Sequence, residues 1–230
     1  MQAPEPILQR LQHTPGMGQG RRLVLLLTQL GDFDSMEYAQ ALVPVLPQLE
    51  AAGIRMRAIA IGDAAGADRF CAYTGLPREA LEVDAEPNLH RELGLYEGLQ
   101  TPGGPWPGLL LMCAGIGSPG TLAEVFRGDR GDRNAPQRID NPLFRLAGGE
   151  GFQRPFELAT VRLRNMAEVL GNWRTYMPSD AFITQRGGTF LIDGDGSLLY
   201  SHRDQGILGF SATMNKPLSF LEPYLTATAG

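Results

Sequence analysis

The sequence predicts an α/β fold in which helices cover a mixed sheet, and three observations support this prediction. Residues 23–27 form a continuous Leu/Val run bounded by charge and glycine, which is typical of a strand buried on both faces. Two stretches with the pattern of strand, turn and helix follow each other along residues 22–75. Near the end of the chain, residues 187–204 carry two short strands joined by a turn.

The first unit places a helix directly after the buried strand. Gly31 ends the strand, and Asp34 and Glu37 stand three residues apart, as a capping box requires. Pro44 and Pro47 predict a kink or break near residue 43. Backbone N–H groups at the start of a helix stabilise an anion, so the turn before this helix is a natural place for chemistry. Apolar residues recur at helical spacing at Ala39, Leu42, Val43, Leu46 and Leu49.

The second unit contains the first of two cysteines. Residues 55–61 predict a strand, and Asp63 is a suitable N-cap for the helix that follows it. Gly75, followed by Pro77, predicts the end of that helix. Cys71 lies on the apolar face of this helix together with Ala67, Phe70 and Thr74. It is interpreted either as a buried small apolar residue or as a redox thiol, which would need exposure and a cationic neighbour such as Arg69.

A third short strand and helix follow. Residues 81–85 predict the strand, and Pro87 at the first helical position predicts a short helix over residues 89–93 that Gly94 closes. His90 lies within it. A lone helical histidine is usually on the surface, and we expect the same here.

The long segment 96–185 carries two motifs that bear on function. Residues 101–108 are a Pro/Gly loop with Trp106, which either packs against the domain or marks a contact surface. Gly115, Gly117 and Gly120 then match a dinucleotide-binding pattern. That pattern also requires a second strand that ends in an acidic residue about 20 positions on, and here the region is a charged loop in which Asp140 stands alone. An ordinary helix start, capped at Ser118 and followed by Pro119, explains the same residues. Cys113, just before them, has the same two interpretations as Cys71.

The end of this segment predicts a covering helix and an aromatic connector. Residues 127–133 have the composition of a solvated loop. Residues 156–170 predict an amphipathic helix that covers the sheet, with Arg162 and Arg164 on its polar side. With Arg174 these cations either are solvated or face a partner. The predicted apolar face consists of Phe156, Ala159, Leu163, Met166, Ala167 and Leu170, and the connector 172–185 holds Trp173, Tyr176 and Phe182.

The last elements are a hairpin and a closing helix. Strands are predicted over residues 189–192 and 198–202, joined by the Asp/Gly turn 193–197. That turn resembles part of a calcium loop but lacks the downstream bidentate Glu, so a hairpin explains it better. A closing helix is predicted over residues 215–225.

Composition excludes several classes of function. The chain has 230 residues and a formal charge of −5, which argues against a nucleic-acid surface. Two cysteines are too few for a disulfide framework, so a reducing cytoplasm is expected. The three histidines are scattered, and the sequence predicts neither a metal site nor a cofactor. No apolar run has the length of a signal peptide core or a membrane span. We expect residues 1–20 to be a flexible arm, in which Ile7, Leu8 and Leu11 could dock, and residues 21–230 a single domain.

The order of elements resembles the thioredoxin fold, and in detail the AhpC/TSA superfamily in its peroxiredoxin-like 2 branch. The likeness rests on residues 22–95 and 186–204. It implies a three-layer α/β/α sandwich with a mixed sheet and a family-atypical insertion, residues 96–185, before the last hairpin. The resemblance also implies a Cys-x-x-Cys turn at the first long helix, where this chain has Asp32-Phe33-Asp34-Ser35. Proteins of this fold usually have a cis-proline just before the fourth strand, where this chain has Gln185-Arg186-Gly187-Gly188. Glycine at this place is a further similarity to the peroxiredoxin-like 2 branch.

The resemblance and the residues support three hypotheses. In the first, the protein has lost its dithiol, because oxygen side chains at Asp32 and Ser35 cannot replace a thiolate, and it acts as a binding or assembly module. Its partner would be another protein, and the similarity to cyanobacterial and chloroplast members implies a photosynthetic assembly, in the stroma for a plastid-bearing source. The partner surface would include Trp106, Arg162, Arg164, Trp173 and Tyr176.

The second hypothesis is an antioxidant thiol oxidoreductase or peroxidase that uses Cys71 or Cys113. The acidic turn opposes it, because Asp32 and Asp34 would raise the pKa of a neighbouring thiol. The third uses Asp32, Asp34 and Ser35 as a small cation or hydrolytic site. Acidic residues in a first helical turn are also ordinary caps, which explains the same residues without a ligand.

Overall fold

The core of the protein is a five-stranded mixed sheet with the strand order β3-β2-β1-β4-β5. The computed structural model describes residues 1–118, 121, 150–207, 209–213 and 216–225, with the backbone alone for residues 150–160. Strands β1 (Arg21–Gln29), β2 (Ile54–Ile61) and β3 (Leu81–Asp84) are parallel, and β4 (Gly188–Ile192) and β5 (Leu198–Arg203) run antiparallel beside β1. The prediction of an α/β fold with a mixed sheet is confirmed, and the terminal hairpin is present.

Strand β1 separates two apolar cores, because alternate side chains point to opposite faces of a sheet. Leu23, Leu25 and Leu27 belong to one core, and Val24 and Leu26 belong to the other. All five side chains are buried. This is the double-sided burial that the continuous apolar run predicted, and it gives the three layers of the thioredoxin-like sandwich.

The first helical layer follows the predicted strand–turn–helix units closely. Helix α2 (Phe33–Leu42) is broken by a 3-10 turn over Val43–Val45 before α3 (Leu46–Ala51), as the two prolines predicted. Helix α4 (Ala64–Thr74) begins at Asp63, whose side chain accepts from the Gly66 N–H. It ends at Gly75, which has a φ of 83°, a conformation that glycine adopts without strain.

The second layer contains α1 (Glu5–His13) and α5 (Asn88–Glu92). The N-terminal segment therefore differs from the flexible arm expected for residues 1–20. Ile7 and Leu11 are each only 1% exposed and pack in the second core. The Leu198 N–H donates to the Met1 carbonyl at 2.7 Å, which fastens the start of the chain to β5. The physical reason is a short amphipathic pattern that covers the otherwise open face of the sheet.

The segment between β3 and β4 contains α6 (Pro105–Cys113), α7 (Glu150–Gly171) and α8 (Trp173–Tyr176). The apolar run before Gly115 is a helix, so the dinucleotide pattern lacks the strand that it requires. Helix α6 begins at Pro105, within the Pro/Gly loop that was predicted over residues 101–108. Gly120, Pro119, Asp140 and residues 127–133, predicted as a solvated loop, lie outside the described residues.

Helix α7 presents a different face to the domain from the one predicted. Leu163 and Leu170, expected to be inward, are each 62% exposed. Asn165 and Val169 are buried instead, and Arg162 is turned toward the domain. The apolar-face prediction was therefore wrong for this half of the helix, because its inner positions find polar partners on α2 and α4. The side chains of Phe156 and Ala159 lie outside the described residues.

The C-terminal region is shorter in helix than predicted. A 3-10 turn over Ser219–Leu221 leads into α9 (Glu222–Leu225), and Leu221 is fully buried against the first core. Asn215, the predicted helix start, lies outside the described residues. Across the described part of the chain, no helix combines the length and apolar character needed to cross a membrane.

Candidate functional site

The candidate site lies where the start of α2 meets the residues that lead into β4. A small pocket opens there, with room for about one water molecule. Most of its lining residues carry polar or charged side chains, although the pocket lies against the apolar core. The lining residues are Leu26, Leu27, Thr28, Asp32, Asp34, Ser35, Tyr38, Arg186, Gly188, Thr189, Asp204 and Phe210.

Asp32 is the N-cap of α2. Its Oδ2 atom accepts from the Ser35 N–H at 3.0 Å, and its Oδ1 atom accepts from Arg186 Nη2 at 3.2 Å. The predicted capping box of Asp34 and Glu37 was therefore wrong, and the helix begins two residues earlier than that box required. Asp34 and Glu37 form ion pairs with Arg162 instead.

The protonation of Asp32 is set by opposing effects. Burial alone would raise the pKa of Asp32, but the Arg186 charge and the hydrogen bonds from Ser35, Thr28 and Arg186 outweigh it. The net result is a pKa below the ordinary carboxyl value. Asp32 is therefore an ionised carboxylate at neutral pH, held at the position that the family resemblance assigns to the first cysteine.

Ser35, which the resemblance places at the second cysteine, is buried and hydrogen-bonded. Its hydroxyl oxygen accepts from the Thr28 N–H at 3.2 Å and lies 3.1 Å from the Thr28 hydroxyl. Only 3% of its surface is exposed. These contacts join the start of α2 to the end of β1, so Ser35 acts as a structural link at this turn.

Arg186 is the residue that sequence reasoning missed. It is 2% exposed, with Nη2 bonded to Asp32, Nη1 3.9 Å from Asp34 and Nε donating to the Thr184 carbonyl at 3.3 Å. Burial would lower the pKa of the guanidinium, but the carboxylates around it raise it overall, so it remains charged. The available signal was a single arginine between a glutamine and two glycines, directly before an apolar strand.

Gly187 explains why this segment can approach the sheet so closely. A Cβ atom at this position would lie 2.1 Å from the Leu26 carbonyl oxygen. No peptide bond among the described residues is cis. The glycine therefore brings Arg186 against the α2 turn without the proline that shapes a peptide groove in thioredoxin-fold proteins.

Arg162 supplies the second cation of the site from α7. Its Nη2 atom lies 2.9 Å from Asp34 Oδ1 and 2.8 Å from Glu37 Oε2. Burial opposes its charge, but Asp34 and Glu37 raise the pKa of Arg162 overall, so it stays protonated. Arg162 was expected on a partner surface, whereas the structure turns it inward to the acidic turn.

Asp204 lines the pocket and pairs with His202, and neither residue was singled out from the sequence. His202 Nε2 lies 3.0 Å from Asp204 Oδ1. Burial raises the pKa of Asp204 despite the opposing effect of His202 and Arg186. The site therefore combines one carboxyl group with a depressed pKa, Asp32, and one with an elevated pKa, Asp204.

The two thiols occupy different environments. Cys71 is buried in the first core, where burial raises its pKa to about 11 although Arg78 opposes the shift. Cys113 is exposed at the end of α6. Atoms packed around its thiol raise its pKa; Arg186 lowers it and Asp34 raises it, so the net shift is upward. Only Cys113 is close enough to the acidic turn to feel its charges.

Of the residues expected on the partner surface, some are exposed in the structure and others are buried. Trp106 is 43% exposed and stacks on Trp173, with ring centroids 5.6 Å apart. Its indole N–H donates to Asp180 Oδ2 at 3.1 Å. Arg164 is exposed, whereas Tyr176 is fully buried and donates to Glu168 Oε1 at 2.9 Å. The exposed apolar side chains of this region, hereafter the α6 surface, are Trp106, Leu110, Leu111 and Ile116.

The third hypothesis, a cation or hydrolytic site, gains no support from the geometry. Asp32 and Asp34 are ion-paired to Arg186 and Arg162, which occupy the space that a cation would take. Within the described residues, no group of three or more His, Cys, Asp or Glu side chains is arranged to hold a metal ion.

Comparison with known proteins identifies one family. The family model described as AhpC/TSA antioxidant enzyme matches residues 41–206. The match runs through the whole of segment 96–185 and begins after the Asp32–Ser35 turn. Neither the curated proteins nor the solved structures compared with the chain gave a match.

Proposed function

Because the chain belongs to the AhpC/TSA antioxidant enzyme family, we propose that it is a thioredoxin-fold member that has lost the redox dithiol and acts as a binding or assembly module. The observation that carries this proposal is the ion-paired turn at the start of α2. Asp32 is fixed by Arg186 and Ser35 by Thr28. Neither side chain can be oxidised and reduced as a thiol is.

The charges of the turn add to this argument. A peroxidatic cysteine needs cationic surroundings that favour the thiolate. Here Arg162 and Arg186 are already neutralised by Asp32, Asp34 and Glu37. A peroxide that entered the pocket would meet carboxylates and hydroxyls, which do not reduce it.

The α6 surface is the proposed contact region. Leu110 and Ile116 are 68% and 54% exposed, and Trp106 lies on the same face of α6 as Leu110 because they are four residues apart. Large exposed apolar groups beside a tryptophan are typical of protein interfaces. The partner class is therefore another protein.

The first experiment measures peroxide consumption by the purified protein, with dithiothreitol or thioredoxin as the electron donor. We expect a rate no higher than that of a variant in which both Cys71 and Cys113 are changed to Ser. A rate well above this control would contradict the loss of redox function.

The second experiment measures retention of a partner from an extract of the source cells. We expect a partner that binds the wild-type protein and the control Gln9→Glu, and that is lost with Leu110→Glu. Gln9 is exposed on the opposite layer, so the control adds the same charge away from the α6 surface. Equal retention by both variants would exclude the α6 surface as the contact.

One alternative has an observation in its favour. Cys113 is exposed and lies within electrostatic reach of Arg186. In a peroxidase its thiolate would attack one peroxide oxygen, which gives a sulfenic acid and releases hydroxide or an alkoxide. An external thiol would then reduce the sulfenic acid. The same assay separates the proposals, because this activity would be lost in Cys113→Ser and kept in Cys71→Ser.

A further inference from the structure

The attachment of α7 to the domain is a structural feature that does not depend on the proposed function. Between Arg162 and Gly171, this helix meets the domain through side-chain hydrogen bonds and ion pairs more than through apolar packing. Val169 is its one fully buried apolar side chain in that range, whereas Leu163 and Leu170 face solvent. We define the polar clip as Arg162, Asn165 and Glu168.

The polar clip has partners on several helices of the domain. Arg162 binds Asp34 and Glu37 of α2. Glu168 accepts from Arg69 of α4 at 2.7 Å and from Tyr176 of α8 at 2.9 Å. The clip therefore spans three helices.

Asn165, the central member of the clip, is 1% exposed. It exchanges two amide hydrogen bonds with Gln40 of α2, at 3.0 and 3.2 Å, and accepts a third from the Tyr73 hydroxyl at 3.0 Å. These bonds are directional, so they fix the register of α7 against α2 and α4.

Such an attachment has an energetic consequence. When polar groups separate, water replaces their lost partners, so the net gain from each intramolecular hydrogen bond is small. When apolar groups separate, nothing in water compensates for the exposed surface. The five-stranded sheet is held by buried apolar side chains on both faces, whereas this half of α7 is held mainly by the polar clip.

If α7 separated from the domain, the loss of Arg162 would change the candidate site. Arg162 reaches Asp34, and Asp34 lines the pocket at the start of α2. Removal of α7 would take away the guanidinium from that side of the turn and let water reach Asp34 and Glu37.

We propose that residues 162–171 of α7 form a detachable lid over the Asp32–Ser35 turn, held by the polar clip and released while the sheet remains folded. The lid opens as a unit, because its three polar residues lie on one face of one helix. Its opening is sensitive to ionic strength through the Arg162 and Arg69 ion pairs.

Hydrogen exchange of the full chain, read peptide by peptide by mass spectrometry, tests the proposal. We expect the amides of residues 162–171 to exchange through an opening much more frequent than that of β1. Raising the salt from about 0.1 M to about 1 M, which shortens the Debye length from about 10 Å to about 3 Å, is expected to accelerate exchange in the lid and to leave β1 unchanged.

A matched pair of variants isolates the clip. Arg162→Met keeps the length of the side chain and removes its charge, and we expect exchange in residues 162–171 to rise about tenfold or more, because hydrogen bonds to charged groups are lost. Arg164→Met makes the same change at an exposed position two residues further and is expected to have no effect.

Three results would overturn the proposal. The lid could exchange only as slowly as β1 in the wild-type protein, or the two variants could behave alike. Alternatively, Arg162→Met could accelerate exchange equally in the lid and in β1, which would make Arg162 a residue of global stability. If Arg162→Met fails to fold, the salt series on the wild-type chain decides: faster exchange confined to the lid at high salt supports the proposal, and lid exchange that salt leaves unchanged or accelerates equally in β1 overturns it.

Discussion

Arg186 sets the charge balance of the candidate site. It enters the core directly before β4 and forms an ion pair with Asp32, 154 residues earlier in the chain, while a second carboxylate, Asp34, lies 3.9 Å away. The pair is nearly sealed from water, with side-chain exposures of 2% for Arg186 and 14% for Asp32. Buried pairs of this kind tolerate the loss of one partner badly, because the remaining charge is left without compensation.

Arg186→Met is therefore expected to destabilise the protein strongly. It leaves Asp32 ionised in a buried position, and breaking a buried pair in this way costs about 3–5 kcal/mol. Urea denaturation at neutral pH measures the effect. Arg174→Met is the control, because Arg174 is 68% exposed in its pair with Asp180 and should cost no more than about 1 kcal/mol. Similar losses for both variants would contradict the role given to Arg186.

His90 shows a second charge effect at the residue scale. The sequence predicted a surface histidine, but His90 is only 1% exposed, and its Nε2 atom lies 2.7 Å from the Leu27 carbonyl oxygen. The surface prediction was wrong because the short helix α5 packs its His90 face against β1. Burial lowers the pKa of His90 below its ordinary value of 6.5, and the contact with Leu27 only partly offsets this.

The pH dependence of stability follows from this direction. Because the folded-state pKa is depressed, the unfolded chain binds the proton more readily, so stability is complete above pH 6.5 and falls as the pH drops below that value. We expect His90→Gln to lose part of this decline between about pH 7 and pH 5, at most about 1.4 kcal/mol per pH unit. The free energy of unfolding in urea, measured at several pH values, gives the comparison.

The control for His90 is His13→Gln, at an exposed histidine at the end of α1. The contribution of His90 is read as the difference between the curves of the two variants. If the His90→Gln curve runs parallel to that of the wild-type protein, His90 does not carry the expected proton linkage.

At the scale of elements, the sequence predicted what depends on neighbours in the chain. The double-sided burial of β1, the break at Pro44 and the cap at Asp63 all follow from residues a few positions apart. The inner face of α7 could not be predicted in that way. Its inward polar residues are satisfied by Asp34, Glu37 and Gln40, more than 100 residues earlier, and an amphipathic pattern registers only where the apolar residues lie.

The candidate site was predictable to the same degree. The turn at Asp32 and Ser35 could be located because a strand and a helix flank it. The ion pairs with Arg162 and Arg186 could not, because they join separate elements and no spacing in the sequence encodes them.

Gly187 allows a prediction about the approach of the 185–188 segment to β1. Gly187→Ala would place a Cβ atom 2.1 Å from the Leu26 carbonyl oxygen and 3.3 Å from Asp204 Oδ2, so the backbone must move. We expect a loss of about 1–3 kcal/mol or more, as for other overpacked sites. Gly18→Ala is the control, because nothing lies within 4 Å of its added Cβ atom. Equal urea midpoints for the two variants would contradict the close approach.

At the scale of the whole molecule, the N-terminal segment completes the three layers. The side chains of the second face of the sheet include Val24, Leu26, Ile59, Phe190 and Ile192. Helix α5 is too short to bury them alone. Ala3, Ile7, Leu11 and Met17 fill the remaining area. Arg10 adds an ion pair to Asp84 at 2.9 Å, so α1 is fastened to β3 as well as to the core.

Substitutions in α1 are therefore expected to act on the stability of the whole domain. Ile7→Ala removes a side chain that is 1% exposed, and such a change costs about 2–5 kcal/mol through lost burial and the cavity left behind. Gln9→Ala, on the exposed face of the same helix, should stay within about 0.5 kcal/mol of the wild-type protein. Urea unfolding should be followed by tryptophan fluorescence, because Trp106 and Trp173 lie in the middle segment and report on a part of the domain that α1 does not touch directly. If α1 is part of the domain, Ile7→Ala shifts that distant signal to a lower urea concentration. A change confined to α1 would leave the midpoint in place and would show that the helix is held only loosely.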